Sequence, residues 1–263
     1  MKNIAFYGAG NISISIIKGL MQSGFNCKNI FYVDRNIKNQ ANLKKLKTRN
    51  LKSNLNKEID LFILAVKPKD AIEAYKEILK NYKKPKIVSL VAGIKSKKYI
   101  KINNSVEFLR AMPNTSSASC NGITAIYNSS FKKNNLKKVI SLFSKIGLVL
   151  NFDNELKIDS FTGMIGSGPA YFFYLLKSYE KKLNHICNGD KKLIKKIIVN
   201  LLQGVAISVE TNIGLNDLIK QVASKKGTTE AGLNTFKKNK LNKLFEDGIE
   251  SAIKRSKEIS SEH

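Results

Sequence analysis

The fold is decided by the stretch Ile4-Ala5-Phe6-Tyr7-Gly8-Ala9-Gly10-Asn11-Ile12-Ser13. An apolar strand runs here into a glycine turn, and an amphipathic helix follows at once. Gly8 permits the tight turn, Gly10 lets the backbone approach a pyrophosphate, and the small Ser13 allows close packing of helix on strand. The helix N-terminus adds unpaired amides and a positive dipole end. The stretch therefore predicts a dinucleotide-binding turn, formed by Gly8, Ala9, Gly10, Asn11 and Ile12.

The alternation of short strands and amphipathic helices continues through the first half of the chain. Strands are predicted at 3–7, 29–33, 60–66, 86–90, 106–110, 123–127 and 148–152, and helices at 11–22, 36–46, 68–81 and 132–146. After residue 153 the sequence predicts only helices, at 155–183, 191–210, 216–222, 229–236 and 241–259. The fold class is therefore α/β. We expect an N-terminal Rossmann-type, doubly wound parallel sheet over 1–152 and a C-terminal all-helical domain over 153–263.

The second predicted strand ends at an acid and a base with opposite implications for the cofactor. Asp34 lies 24 residues after Gly10, close to the offset at which an acid binds the ribose hydroxyl of NAD. Arg35 instead suits the additional phosphate of NADP. Both NADP(H) and NAD(H) therefore stay open, and the cationic surface tips the preference toward NADP(H).

The net charge of +26 raises the question of nucleic-acid binding. Only four of the cationic residues are arginine, against 42 lysines spread along the chain. Base-edge and bidentate phosphate recognition favour arginine, so we expect no nucleic-acid partner. Three separated cysteines and two histidines give no metal-ligand spacing, so we expect no metal. Apolar runs are too short to cross a bilayer, and we expect a cytoplasmic protein without membrane contact.

Turns at the carboxyl ends of the predicted strands supply further candidate residues, because these ends line the ligand crevice of a doubly wound sheet. We predict cofactor contacts for Asn54, Ala65, Val66, Lys67, Pro68, Ala92 and Gly93. The segment Arg110-Ala111-Met112-Pro113-Asn114-Thr115 ends another strand. Within it we predict substrate contacts for Met112 and Asn114.

Two segments of the helical half combine glycines with features that bind anions. Three glycines and a proline interrupt the apolar run Gly163–Tyr171, which indicates close approach of a ligand or of a neighbouring helix. Further on, Gly227-Thr228-Thr229-Glu230 opens a helix and offers free amides and two hydroxyls to an anion. A capping box without catalytic duty is the alternative for this second segment.

Together these segments resemble the pyrroline-5-carboxylate reductase family, and the resemblance runs from end to end. It is carried by the glycine turn, Ala65–Pro68, Arg110–Thr115, Gly166-Ser167-Gly168-Pro169-Ala170-Tyr171 and Ser224–Leu233. The family implies a Rossmann domain followed by a helical domain that interlocks with a second subunit, often assembling further. It also implies the final step of proline synthesis, in which NAD(P)H reduces 1-pyrroline-5-carboxylate to L-proline. A reductive role is a second reason to lean toward NADP(H).

The resemblance also assigns substrate residues. Gly227, Thr228 and Thr229 match the loop that holds the substrate carboxylate, and Thr229 matches the threonine that hydrogen-bonds the ring nitrogen. Val222 and Ser167 match positions that line the same pocket. The usual Ser-Pro-Gly-Gly turn is replaced here by Ser224-Lys225-Lys226-Gly227. The usual His-Pro pair before the short helix is also replaced, near Leu215-Asn216-Asp217.

These motifs contain neither a histidine nor a carboxylate pair that could act as general acid. We therefore expect catalysis by positioning of the substrate against the nicotinamide, with a hydrogen bond from Thr229. A β-hydroxyacid dehydrogenase-like enzyme would share the first half, but it would use a lysine inside the glycine-rich helical segment. Lys157 and Lys177 only flank that segment. A non-catalytic NAD(P)-binding sensor is the other alternative. The apolar residues of Phe172–Leu176 and of the 191–210 helix predict a homodimer interface, with a monomer core as the alternative.

Overall fold

The computed structural model describes residues 1–53 and 57–262. The chain forms two compact units. The first comprises Met1–Pro169 and the chain from Glu250 onward, and the second comprises Ala170–Ile249. The last strand ends at Phe152, so the helical sequence after residue 153 contributes to both units.

The strands form a single sheet in the first unit. They are β1 (Ile4–Tyr7), β2 (Ile30–Val33), β3 (Arg49–Asn50), β4 (Leu61–Leu64), β5 (Lys86–Ser89), β6 (Glu107–Pro113), β7 (Gly122–Asn128) and β8 (Gly147–Phe152). Their order in the sheet is β3-β2-β1-β4-β5-β6-β7-β8. β1 pairs in parallel with β2 on one side and with β4 on the other, so the chain winds outward in both directions from β1. The predicted Rossmann-type, doubly wound fold class is confirmed.

The pairing of β6 with β7 departs from the predicted all-parallel sheet. These strands run antiparallel, with Arg110 opposite Tyr127, and β8 then pairs in parallel with β7. The connection between β6 and β7 consists of residues 114–121, only eight residues. A parallel crossover needs a dozen or more, so this length dictates a direct reversal. The expectation of parallel pairing was wrong at this edge.

Six helices of the first unit connect or flank the strands. They are α1 (Asn11–Gln22), α2 (Ile37–Lys45), α3 (Ala71–Asn81), α4 (Ser96–Ile100), α5 (Lys133–Ser144) and α6 (Leu156–Phe161). α1 has the predicted bounds, and it buries Ile16, Ile17 and Leu20 at helical spacing. The five-residue α4 and the two-residue β3 were not predicted, because each is too short to display a hydrophobic period.

Both faces of the central strands are buried, and these strands alternate their side chains between two cores. In β1, Ile4 and Phe6 join a cluster that includes Leu20 of α1 and Leu142 of α5. Ala5 and Tyr7 point the opposite way, into a cluster that includes Tyr75 of α3. This period of two with apolar residues on both faces is the pattern of a central strand covered by helices on each side.

A buried ion network ties β6 to the helical sequence that follows the sheet. The guanidinium of Arg110 is only 1% exposed and lies 3.0 Å from Glu155 and 3.4 Å from Asp159. Glu155 also accepts hydrogen bonds from the backbone N–H and the hydroxyl of Ser96, at 2.7 and 2.8 Å. Arg110 therefore joins β6 to the segment 155–159, and Glu155 in turn joins that segment to the start of α4.

The glycine-rich segment is not one continuous helix, as its predicted range 155–183 had implied. A π-helical turn at Thr162–Gly166 separates α6 from α7 (Gly168–Ile186). A Cβ atom at Gly163 would lie 2.5 Å from the backbone nitrogen of Ile253, which belongs to α11 (Leu241–Glu262). Close packing of helices therefore explains Gly163. Around Gly168 a Cβ would meet nothing within 4 Å, so packing inside the chain does not account for that glycine.

Every regular secondary-structure element among the described residues of the second unit is a helix. It contains most of α7, α8 (Lys191–Val209), α9 (Leu215–Val222), α10 (Thr228–Lys238) and the start of α11. Ile194 is the one buried apolar residue of its described chain. Large apolar side chains that stand exposed there include Phe172, Phe173, Tyr174, Tyr179, Ile186, Val205, Ile207, Val209, Leu215, Val222 and Leu244. Among the described residues, no helix has the length and apolar character needed to cross a bilayer.

Candidate active site

The glycine turn after β1 is built for close approach of backbone and ligand. Gly8 has φ +95°, and a Cβ there would lie 2.5 Å from the carbonyl oxygen of Ala65. Its N–H donates to the carbonyl of Val33 at 2.9 Å, so Gly8 joins β1 to both neighbouring strand ends. Around Gly10, by contrast, a Cβ would meet nothing within 4 Å. The protein's own packing does not require glycine there, and the open space at the N-terminus of α1 fits a pyrophosphate.

A cavity of about 290 Å³ opens beside this turn. Eight of the predicted cofactor residues line it, namely Gly8, Ala9, Gly10, Asp34, Arg35, Ala65, Val66 and Lys67. Asn11 and Ile12 form the adjoining first turn of α1, and Pro68 starts a 3-10 turn directly after Lys67. Asn54 lies outside the described residues.

Several other residues that line this cavity were not predicted. They are Tyr7, Val33, Asn36, Asn39, Asp70, Ala74 and Glu77. Asn36 and Asn39 lie at the start of α2. Asparagine is a common N-cap, so its place two residues after Asp34 could have predicted that Asn36 lies beside the cavity. Asp70, Ala74 and Glu77 are brought to the cavity by α3 and the turn before it, which sequence spacing alone does not reveal.

Asp34 is held firmly at the end of β2. Its carboxylate accepts hydrogen bonds from the N–H of Ala9 at 2.6 Å and from the N–H of Asn36 at 2.6 Å. The side-chain amide of Asn39 adds a third at 3.2 Å. The carboxylate is thereby fixed against the glycine turn, where an acid receives the hydroxyls of a ribose in this fold.

Arg35 is paired with a carboxylate of the protein itself. Its guanidinium forms an exposed ion pair with Glu73 of α3 at 2.8 Å. The hydrogen bond and charge of Glu73 raise the pKa of Arg35, and the charges of Asp70 and Glu77 act in the same direction. Burial raises the pKa of Tyr7, with the charge of Glu77 adding to it, so this phenol stays neutral on the cavity wall.

Three other predicted groups of the first unit make protein contacts and do not line this cavity. A Cβ at Gly93 would collide with Ile259 of α11, so the Ala92-Gly93 turn packs against that helix. Met112 and Asn114 are buried at the end of β6. The side-chain oxygen of Asn114 accepts the N–H of Ile123 at 3.1 Å, which braces the β6–β7 connection. Ser167 is half-buried, and its hydroxyl donates to the carbonyl of Thr162 at 3.4 Å.

The second unit carries the glycine–threonine loop. Gly227 is the residue that caps α10, and its N–H donates to the carbonyl of Ser224 at 3.0 Å. Thr228 and Thr229 occupy the first turn of α10. Within the described part of the chain, the hydroxyls and backbone amides of these two threonines have no hydrogen-bond acceptor. Val222, at the end of α9, is 70% exposed.

Glu230 bears on the capping-box alternative for this loop. Its carboxylate accepts the N–H of Lys226 at 2.6 Å, one residue before the cap. The reciprocal side-chain cap is missing, because the N-cap is Gly227 and not a threonine. Glu230 therefore binds one residue before the N-cap, and among the described residues neither hydrogen bond of a standard capping box is present. The amides of Thr228 and Thr229 stay free to bind an anion.

The substrate candidates thus fall into both compact units. Met112, Asn114 and Ser167 belong to the first unit, while Val222, Gly227, Thr228 and Thr229 belong to the second. In the described residues no group of three or more histidine, cysteine, aspartate or glutamate side chains could hold a metal ion.

Comparisons with known proteins match both halves of the chain. The family model for pyrroline-5-carboxylate reductase dimerisation matches residues 155–259. A second family model, described as NADP oxidoreductase, coenzyme F420-dependent, matches residues 3–93.

Individual relatives cover nearly the whole chain. Pyrroline-5-carboxylate reductase 1 of Bacillus subtilis (strain 168) is 34% identical, over 99% of this chain and 90% of that protein. The solved pyrroline-5-carboxylate reductase of Coxiella burnetii is 26% identical, with 98% of each chain covered and a TM-score of 0.82. The Plasmodium falciparum pyrroline carboxylate reductase, solved with NADP bound, is 22% identical, with 98% of each chain covered and a TM-score of 0.86. At that last identity the likeness shows the fold alone. On the full-length match to the Bacillus enzyme and the dimerisation match, this chain belongs to the pyrroline-5-carboxylate reductase family.

Proposed function

We propose that the chain reduces 1-pyrroline-5-carboxylate to L-proline with a nicotinamide dinucleotide, the last step of proline biosynthesis. The observation that carries this proposal is that one chain of this family has both the glycine-turn cavity and, at the start of α10, the free amides of Thr228 and Thr229. We assign cofactor binding to residues 1–152, and substrate binding and dimerisation to 153–263. The β-hydroxyacid dehydrogenase alternative is not favoured by the relatives.

The cofactor half of the site rests on the glycine turn. The amides of Gly10 and Asn11 would hold the pyrophosphate at the positive end of α1. The N–H of Ala9 holds the carboxylate of Asp34, which would receive a ribose hydroxyl. Lys67, with its neighbours at the end of β4, would lie along the dinucleotide, and we assign Ala92, Gly93 and Asn54 to the same role. When bound, the reduced nicotinamide supplies the hydride that the imine carbon accepts.

The substrate half rests on the start of α10. The amides of Thr228 and Thr229 would hold the substrate carboxylate, because they are unpaired and lie at the positive end of a helix. The hydroxyl of Thr229 would donate a hydrogen bond to the ring nitrogen. We assign Val222, Ser167, Met112 and Asn114 to the walls of the same pocket.

This arrangement performs its chemistry by positioning. The substrate is a basic imine that needs little acid catalysis, so holding its carbon against the nicotinamide supplies most of the rate. The Thr229 hydroxyl has no acceptor within the described chain, so it is free to turn toward the nitrogen. The ring nitrogen must gain one proton as well as the hydride at carbon, and water would supply it, directly or relayed through the Thr229 hydroxyl, which takes a proton from water as it gives one to the nitrogen.

Homo-oligomerisation is a property of the family segment at 155–259, and we propose a dimer through the helical unit. The exposed apolar side chains of α7 and α8 support this assembly, because a patch of that extent on a lone chain marks an interface. Further association of dimers is compatible with the same surface. We place the enzyme in the cytoplasm, and we expect no nucleic-acid partner.

The test is a spectrophotometric assay of NADH and NADPH oxidation, with 1-pyrroline-5-carboxylate and with a panel of keto acids. Loss of near-ultraviolet absorbance with the imine alone is the expected result. Oxidation of NADH or NADPH with a keto acid in place of the imine would favour the dehydrogenase. Binding of the nucleotide without turnover of any substrate would favour the sensor.

A further inference from the structure

The charges around the cofactor cavity are opposite in sign to those of the whole protein. The chain carries a net charge of +26, yet three carboxylates line this cavity against two cations. The carboxylates are Asp34, Asp70 and Glu77, and the cations are Arg35 and Lys67. A fourth carboxylate, Glu73, pairs with Arg35. Local acidity in so basic a chain points to a function at this position.

NADP differs from NAD only by a phosphate on the adenosine ribose, which adds a charge of about −1.5 to −2 at neutral pH. In this fold the end of β2 faces that ribose. A hydroxyl there gains an acceptor in Asp34, whereas a phosphate is repelled by the same carboxylate. Asp34 cannot turn away at little cost, because three donors hold it at 2.6, 2.6 and 3.2 Å.

We infer that the cavity selects NADH over NADPH, with Asp34 as the principal determinant and Glu73 as the carboxylate that withholds Arg35 from a 2′-phosphate. The inference rests on the proposed cofactor site and reverses the preference that the sequence suggested. That preference relied on the cationic surface and on the reductive role. The structure gives Arg35 an acidic partner, and it lines the cavity with three carboxylates.

Asp34 and Glu73 should disfavour the 2′-phosphate to different extents. The Arg35–Glu73 pair is exposed, and such pairs change an equilibrium by up to about fivefold. The cost of displacing Glu73 from Arg35 should therefore weaken the binding of a 2′-phosphate only modestly. A fixed carboxylate beside a phosphate is a stronger barrier, of at least about tenfold, because like charges in contact are costly.

The experiment measures binding by titration calorimetry with ADP-ribose and with 2′-phospho-ADP-ribose, at one ionic strength, on the full chain. These probes lack the nicotinamide, so substrate and turnover do not enter. We expect wild type to bind ADP-ribose at least about tenfold more tightly than its 2′-phosphate. Asp34→Asn should close most of that gap, and Glu73→Gln should narrow it by about two- to fivefold. The matched control is Asp153→Asn, which removes an exposed, ion-paired carboxylate outside the cavity and should leave the ratio unchanged.

Each outcome bears on a different statement. Equal or tighter binding of the 2′-phosphate by wild type would overturn the inference and leave the cofactor site standing. An unchanged ratio in Asp34→Asn would remove Asp34 as the determinant, and if that variant fails to fold, the wild-type ratio and Glu73→Gln still decide. Failure of wild type to bind either probe would overturn the cofactor site itself, and the inference with it.

Discussion

Lys226 occupies the left-handed region of backbone space, with φ +57°, directly before the loop that we assign to the substrate carboxylate. At this position the family's usual turn has glycine, which adopts such a conformation without a steric penalty. Lys226 adopts this conformation at a steric cost. The hydrogen bond from the N–H of Lys226 to Glu230 holds the backbone in place. The lysine is therefore held in a conformation that glycine would adopt more readily.

Lys226→Gly should stabilise the protein by about 0.5–1 kcal/mol, since relief of the left-handed strain exceeds the entropy that glycine adds to the unfolded chain. The measurement is the midpoint of urea unfolding at a fixed protein concentration. Lys225→Gly removes the same charge at a residue without positive φ, so it should be neutral or destabilising. Equal effects of the two variants would show that charge and not backbone strain is responsible.

Thr229→Ala should lower kcat by about ten- to hundredfold, which is the effect of losing one hydrogen bond to a group that becomes charged. The dissociation constant for the cofactor should stay nearly unchanged, because this threonine lies outside the cofactor cavity. Steady-state kinetics and a nucleotide titration separate the two effects. Thr229→Ser retains the hydroxyl and is the control. Unchanged turnover in the alanine variant would remove Thr229 from the mechanism.

Elements with a strong local pattern were predictable, and elements set by distant contacts were not. α1 has the predicted bounds, because a glycine cap and a helical apolar stripe coincide in one stretch. The strand β7 was predicted at 123–127, but its antiparallel direction was not, since that direction follows from the length of a connection and not from the composition of the strand. At the site, Asp34 and Arg35 were readable from their place after β2. Glu73 was not, because the fold of α3 brings it to Arg35.

Arg110→Met should destabilise the protein by about 3–5 kcal/mol, because it leaves the carboxylates of Glu155 and Asp159 without their buried counter-ion. The free energy of unfolding in urea provides the measurement. Arg255 also pairs with two carboxylates, Glu258 and Glu262, but at the surface. Arg255→Met should therefore change stability little. Similar effects from the two variants would mean that burial does not control the strength of the β6 network.

Asp60 gives the strand β1 an acid-sensitive attachment. Burial alone would raise its pKa, but hydrogen bonds from the N–H groups of Asn3 and Lys2 outweigh burial and lower the pKa. A lowered pKa stabilises the fold above the unfolded value of about 3.9, and this contribution disappears as pH falls through the folded value. The difference in Tm between wild type and Asp60→Asn should therefore be present at pH 6 and shrink below about pH 4. A difference independent of pH would contradict this assignment.

At the scale of the whole molecule, the two units differ in how far they bury their apolar side chains. The first unit encloses two cores, one on each face of its sheet. The second unit leaves most of its large apolar side chains in contact with solvent in the single chain. Such a unit gains its stability from association, because burial is the main favourable contribution to folding.

Val205→Glu should weaken or abolish the dimer, since this side chain is 54% exposed in the single chain and lies on the predicted interface helix. Light scattering over a range of protein concentrations measures the assembly. Lys238→Gln, at the end of α10, lowers the net charge by one unit, as Val205→Glu does, and should leave the assembly intact. A dimer that survives Val205→Glu would place the interface elsewhere on the helical unit.

The division of the first unit between two distant parts of the sequence has a consequence for synthesis on the ribosome. The residues that pack against Gly163 and Gly93 belong to the end of α11, and the 80 residues 170–249 are translated before them. At about 5–20 residues per second, that interval lasts roughly 4–16 s. During it all strands of the sheet have been synthesised, but the part of α11 that packs against Gly93 and Gly163 has not. The first unit can therefore complete its packing only at the end of synthesis, after the whole second unit has been made.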